Sequence, residues 1–99
     1  TAVVDSLIDA ESEPAWAAGL RVFPNPTAGI FTIEIKDFDS NEIDFSIKSA
    51  QGITLQARHV KTVSGVTTIQ ADLSLLPKGV YWIELADGKA MVRRKVVVQ

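Results

Sequence analysis

Val80-Tyr81-Trp82-Ile83-Glu84-Leu85-Ala86-Asp87-Gly88-Lys89-Ala90-Met91-Val92-Arg93-Arg94-Lys95-Val96-Val97-Val98 reads as a β-hairpin near the end of the chain. Tyr81, Ile83 and Leu85 recur at every second position, the period of a strand with one buried face. Ala86-Asp87-Gly88-Lys89 is the strongest hairpin signal in the chain, because an Asp-Gly pair suits the positive-φ positions of a tight turn. Met91 to Val98 is the partner strand. Its end is unusual: Val96, Val97 and Val98 leave both faces apolar. Such a strand is either buried on both sides or an exposed end that some partner covers.

The same grammar extends back through the chain. Ile43, Phe45 and Ile47 alternate with Asp44, Ser46 and Lys48 in a run from Ile43 to Ser49, and Phe31, Ile33 and Ile35 share one face of Ile30 to Ile35. Leu20 to Phe23 is a short run ended by Pro24 and Pro26, neither of which can donate to a ladder. Ile53 to Val60 follows a turn at Gly52, and Val66 to Ala71 follows Ser64-Gly65; both are expected to be half-buried. Leu73-Ser74-Leu75-Leu76 suits a tight helical turn capped by Asp72 and closed by Pro77. Seven short strands without a long helix between them predict an all-β, immunoglobulin-like antiparallel β-sandwich.

Ninety-nine residues support one core. There is no cysteine, so stability must come from packing and ladder hydrogen bonds. No apolar run approaches a membrane span, so no transmembrane segment is expected, and a formal net charge of -2 weighs against nucleic acid as a partner. The chain opens on Thr1 without the basic and apolar regions of a signal peptide, which suggests a fragment of a longer precursor. Residues 1–19 carry Asp5, Asp9, Glu11 and Glu13 but no Lys or Arg, and read as a linker from a preceding passenger domain; 20–99 is the folded domain. A short helix through Val3, Val4, Leu7 and Ile8 would be ended by Pro14.

No catalytic constellation emerges. His59, the single histidine, reads as a solvent-facing strand residue without catalytic partners, and nucleophile-elbow, Ser-x-x-Lys and phosphate-loop motifs are absent. Asp37, Asp39 and Asn41 match the start of a calcium loop, but Glu42 replaces the required glycine and Lys48 the final acid, so a solvated hairpin turn is expected. No metal or cofactor is predicted. Lys89, Arg93, Arg94 and Lys95 serve either as edge protection or as a docking cluster. Pro24-Asn25-Pro26-Thr27-Ala28-Gly29 is a rigid turn in which the Asn25 side chain bonds nearby backbone; the middle proline rules out glycosylation. Trp82 is expected to pack in the sandwich, with Trp16 in the linker.

Three landmarks suggest a family. Val22-Phe23-Pro24-Asn25-Pro26-Thr27-Ala28-Gly29, followed by Phe31-Thr32-Ile33, resembles the opening of the type A C-terminal sorting domains (CTDs) of type IX secretion system cargo, also called the Por secretion system. Asp72-Leu73-Ser74-Leu75-Leu76-Pro77-Lys78-Gly79-Val80-Tyr81 is similar to that family's closing Asp-Leu-Ser, Leu-Pro-x-Gly-x-Tyr segment. Arg93-Arg94-Lys95-Val96-Val97-Val98-Gln99 resembles its basic, β-rich tail. The resemblance runs from Arg21 to Gln99. It departs at Lys48-Ser49-Ala50-Gln51-Gly52, where the family commonly has a Tyr-Asp-x-x-Gly-like turn and only Gly52 is kept.

The resemblance implies a secretion signal of Bacteroidota, and no enzyme, although the passenger is often one. Its partners would be the type IX outer-membrane translocon, shuttle proteins and a sortase-like protease, with a weak homodimer through an exposed edge as a further expectation. The cargo would cross the periplasm and the outer membrane, be cleaved within 1–19, and end anchored at the cell surface or released. The tail strand, Met91 to Gln99, is expected to dock by adding to a sheet edge, with Arg93, Arg94 and Lys95 setting orientation beside Val96 and Val97. Pro24, Asn25, Pro26 and Gly29, Gly52, and Asp72, Leu73, Ser74, Leu76, Pro77, Gly79 and Tyr81 are the other candidates; these turns either contact the machinery or only shape the fold. The competing function is an accessory binding module for carbohydrate or protein, using Tyr81, Trp82 and the loops.

Overall fold

The computed structural model describes residues 13–99, so the helix considered through Val3 to Ile8 lies outside the described residues. Seven strands follow a 3-10 segment at Ala15–Gly19: β1 (Arg21–Phe23), β2 (Ile30–Lys36), β3 (Glu42–Ser49), β4 (Thr54–Lys61), β5 (Val66–Asp72), β6 (Gly79–Ala86) and β7 (Met91–Val98). They form two antiparallel sheets, one in the order β1-β2-β5 and the other in the order β4-β3-β6-β7. The fold is an all-β sandwich, as the alternation of its strands predicts. Each run lies within a residue of its expected bounds, because the period of two marks the buried face directly.

The two inner faces meet in one core. Phe31, Ile33 and Ile35 of β2 and Ile69 and Ala71 of β5 face Ile43, Phe45 and Ile47 of β3, Ile83 and Leu85 of β6, and Val92, Val96 and Val98 of β7. Central strands β2, β3 and β6 supply most of the fully buried side chains. Each such Ile, Leu or Phe contributes about 1.5–3 kcal/mol by leaving water.

Four expectations are corrected. Trp16 is buried against the core; its ring meets Phe38 edge-on at 5.1 Å and its indole N–H donates to Asp87 Oδ2 at 3.1 Å. The end of the supposed linker is therefore part of the packed domain. Asp37, Asp39 and Asn41 do not close a hairpin, because β2 and β3 belong to different sheets and 37–41 crosses between them. β4 is not half-buried throughout: only Gln56 and Val60 have intermediate burial, as expected of an edge strand that overhangs the core.

His59 also has partners. The β3–β4 register sets Asp44 directly opposite it, and its Nδ1 lies 2.5 Å from Asp44 Oδ1 and its Nε2 2.8 Å from Glu42 Oε2. These two hydrogen bonds, Asp44's first, raise the pKa of His59 above its ordinary 6.5. A folded value above the unfolded one means that stabilisation by the imidazolium is complete below pH 6.5 and fades as pH rises through the folded value. Carboxyl groups set the opposite limb. Burial would raise Glu84, but hydrogen bonds from Lys48 and Arg93 outweigh it and hold its carboxyl below the usual range. Backbone N–H donors from Ala90 and Lys89 do the same for Asp87. Their contribution is present above the ordinary carboxylate values and is lost as pH falls through the folded ones.

Stability is therefore expected to peak between the carboxylate range and pH 6.5, and to decline as pH rises from there through the folded pKa of His59. A His59→Gln chain should lose the alkaline limb only. Titration of the His59 ring by NMR checks the cause, and a midpoint at or below 6.5 would remove it.

Candidate functional site

At one end of the sandwich the three sequence landmarks touch. The chain leaves β1 at Phe23 through two cis peptide bonds, Phe23-Pro24 and Asn25-Pro26, and is carried against the outer edge of β7. There the Asn25 side-chain amide spans the strand: Nδ2 donates to the Lys95 carbonyl at 2.8 Å, and Oδ1 accepts the Val97 N–H at 3.1 Å. Thr27 continues the pairing with backbone. Its N–H donates to the Val97 carbonyl at 2.9 Å, and its carbonyl accepts the Gln99 N–H at 2.8 Å. Asn25 does bond backbone, as the turn chemistry predicts, but that backbone is distant in sequence.

The buried Thr27 hydroxyl then holds the turn closed, donating to the Ile30 carbonyl at 2.6 Å and accepting the Gly29 N–H at 3.0 Å. Gly29 delivers the turn to the second landmark, where its carbonyl accepts the Leu73 N–H at 2.8 Å. Its φ of +146° belongs to glycine, and a β-carbon on it would stand 2.7 Å from Ser74 Cα.

The second landmark folds as its residue types require. Asp72 Oδ1 accepts the Ser74 N–H at 2.8 Å, and Leu76 N–H returns to the Leu73 carbonyl at 3.0 Å. These bonds from Ser74 lower the Asp72 pKa. The turn points Leu73 into the core and leaves Leu76 half-buried. Tyr81 is buried, and its hydroxyl donates to the Pro77 carbonyl, tying the start of β6 to the turn before it. Gly79 is paired with Val98, so this segment also borders the tail. Gly52 lies at the same end, in the β3–β4 hairpin, where Ser49 Oγ accepts the N–H groups of Gln51 and Ile53.

The basic residues of the tail are engaged differently. Arg93 on the outer face pairs with Glu84 at 3.0 Å and lies over the Trp82 ring at 5.5 Å, while Lys48 reaches the same carboxylate at 3.0 Å. Arg94 forms a two-pronged pair with Glu13, at 3.0 and 3.2 Å, which lowers the Glu13 pKa. Lys95 is exposed, and its carbonyl is the one held by Asn25. The ambiguity of the apolar tail resolves into burial: Val96 and Val98 are in the core and Val97 is half-buried beside Asn25. Trp82, expected to pack in the sandwich, is instead half-buried on the outer face of β6 under Arg93, because Tyr81, Ile83 and Leu85 take the inner face; with Tyr81 and Trp16 buried, these rings form no open stacking platform.

Leu75 was not among the individual candidates, yet it is the most exposed apolar side chain of this end, at 98%. The signal was there: in a tight turn, Leu73 and Leu76 take the inner side and leave Leu75 outside. Beside it, Leu55, Gln56, Asp72 and Leu76 line one shallow recess, and Leu55, Leu76, Pro77 and Tyr81 border a second.

The sandwich thus draws separate turns together at one end, with the exposed Leu75 between shallow recesses. Residues 21–99 match the sequence model of the secretion system C-terminal sorting domain, and the chain belongs to that family. It therefore carries a type IX secretion sorting signal, which implies interaction with that machinery and export to the cell surface or extracellular space. Comparison with curated proteins found no match. Among the described residues, no helix is long and apolar enough to cross a membrane.

Proposed function

We propose that the end of the sandwich formed by Pro24–Gly29, Asp72–Tyr81 and Lys95–Gln99 is the surface read by the translocon and its shuttle proteins. The observation that carries this reading is the meeting of all three landmarks, joined by backbone bonds at Leu73, Val97 and Gln99. Turns that only shaped a sandwich would have no need to be gathered at one end around an exposed leucine. On this reading the preceding segment, within 1–19, is where a sortase-like protease separates cargo from signal, leaving the cargo anchored or released. The domain's own chemistry is recognition, and catalysis belongs to the passenger and the protease.

The test is a fluorescent passenger carrying a signal peptide and followed by residues 1–99, expressed in a bacterium with a type IX system. Fluorescence outside the wild type and trapped in the periplasm of a secretion mutant supports the reading. Retention in both strains overturns it.

A second expectation concerns Leu75. Because its side chain packs against nothing, Leu75→Ser should change folding stability by no more than about 0.5 kcal/mol. Export should nevertheless fall several-fold, since an apolar side chain 98% exposed in the free domain can leave water only against a partner. Equal export of the variant and wild type would place recognition elsewhere on this end.

A further inference from the structure

The C-terminal stretch of the outer edge of β7, Lys95–Gln99, is occupied by the molecule itself. Alternate residues of an edge strand turn their backbone groups away from the sheet, and in β7 these include Arg93, Lys95 and Val97. All three of their carbonyls have donors: Arg94 Nη1 for Arg93 at 2.9 Å, Asn25 Nδ2 for Lys95, and the Thr27 N–H for Val97. The Val97 and Gln99 N–H groups are taken by Asn25 Oδ1 and the Thr27 carbonyl. Strand addition along Lys95–Gln99 would first have to break the four bonds made by Asn25 and Thr27. The expectation of docking by strand addition meets this obstacle along Lys95–Gln99.

Asn25 is suited to this position by its chemistry. A primary amide sets an N–H and a C=O side by side in one plane, the same pair that a neighbouring strand presents, so one side chain stands in for a rung of ladder. Pro24 and Pro26 have no N–H to offer, and therefore the side chain of Asn25 supplies what this segment's backbone lacks until Thr27.

We infer that Asn25 is a positioning residue of the sorting signal, latching Lys95–Gln99 to the Pro24–Thr27 turn so that the machinery reads the two together as one fixed surface through its side chains. This rests on the proposed function above and adds how the tail is presented. The partner it fits is a protein surface that contacts the exposed Lys95, Pro24 and Pro26 side chains without a strand pairing to the tail.

The experiment uses the same passenger fusion with Asn25→Ala, with Asn25→Asp, and with Ile69→Val as a stability control in the core of β5. Hydrogen exchange at the Val97 amide should be at least tenfold faster in Asn25→Ala than in the wild type. It should be less affected in Asn25→Asp, which keeps the acceptor. Export should fall about tenfold for Asn25→Ala, less for Asn25→Asp, and remain unchanged for Ile69→Val. Export of Asn25→Ala equal to or above wild type would overturn the inference, because a tail read by strand addition benefits from an open edge. So would an equal loss in Ile69→Val, which would make the effect one of folding, or unchanged exchange at Val97. If the wild-type fusion does not leave by the type IX route, the proposed function itself fails; if it leaves and only the latch results disagree, the latch alone is wrong.

Discussion

Gly29→Ala is expected to destabilise the domain by about 3 kcal/mol, from backbone strain and steric conflict that each contribute about 1–3 kcal/mol. The φ of +146° is one that a residue with a β-carbon rarely adopts, and the added atom would sit 2.7 Å from Ser74 Cα and 2.8 Å from Ser74 Cβ. Neither neighbour is the free end of a flexible side chain. Ser74 cannot move alone, because its N–H is bonded to Asp72 and the adjacent Leu73 N–H is bonded to Gly29 itself. For a domain of this size the loss corresponds to a fall in melting temperature of roughly 15 °C. Denaturant unfolding checks it, and a loss below about 1 kcal/mol would show that the turn can separate from Asp72–Ser74 with little strain. Because the change acts where two landmarks touch, export should fall with stability. Leu75→Ser, by contrast, should separate the two.

Trp16→Ala is expected to cost about 3–5 kcal/mol, the usual range for emptying a buried aromatic site. The indole packs on Phe38 and donates to Asp87, whose carboxylate also receives the N–H groups of Lys89 and Ala90 at 2.8 Å each. Its loss would therefore open a cavity and remove one bond from the carboxylate that shapes the β6–β7 turn. A chain beginning at Leu20 should be destabilised by a similar amount relative to one beginning at Glu13, since it lacks the same indole and also the Glu13–Arg94 pair. That ion pair is partly exposed and adds at most about 1 kcal/mol. Calorimetry on the two chains gives the comparison. Equal melting temperatures would mean that the Ala15–Gly19 segment rests on the sandwich without supporting it. If the expected difference is found, a protease that cuts within 1–19 leaves a stable sorting domain only when it cuts before Trp16.

Local pattern was enough for the strands. In β3 Ile43, Phe45 and Ile47 fall at every second position, and that period identifies both the element and its buried face without knowledge of its neighbours. Turn chemistry was equally local: Asp87-Gly88 closes the β6–β7 hairpin, and Asp72 organises Leu73–Leu76 through its own side chain. Trp16 shows where such reasoning ends. An Ala-rich, acidic, lysine-free stretch has the composition of a solvated linker. Its one aromatic is buried because Phe38 and Asp87, far along the chain, complete a site for it.

The candidate site divides in the same way. Pro24–Gly29, Asp72–Tyr81 and the basic tail could be recognised as words in the sequence, and Leu75 could have been placed outside its turn by the spacing of Leu73 and Leu76. The hydrogen bonds from Asn25 to Lys95 and Val97 could not, because they join residues 70 and 72 positions apart. The sequence by itself determined the strands, the inward faces of all but the edge strand β4, the turns at Asp72 and Asp87-Gly88, and the family resemblance, because residue type and short spacing are enough for these. Only the tertiary structure decided that the three landmarks share one end and that Asn25 and Thr27 occupy the edge of β7 along Lys95–Gln99. Those contacts follow from strand order and register, which bring distant backbone groups within hydrogen-bond reach only after both sheets have packed on a common core.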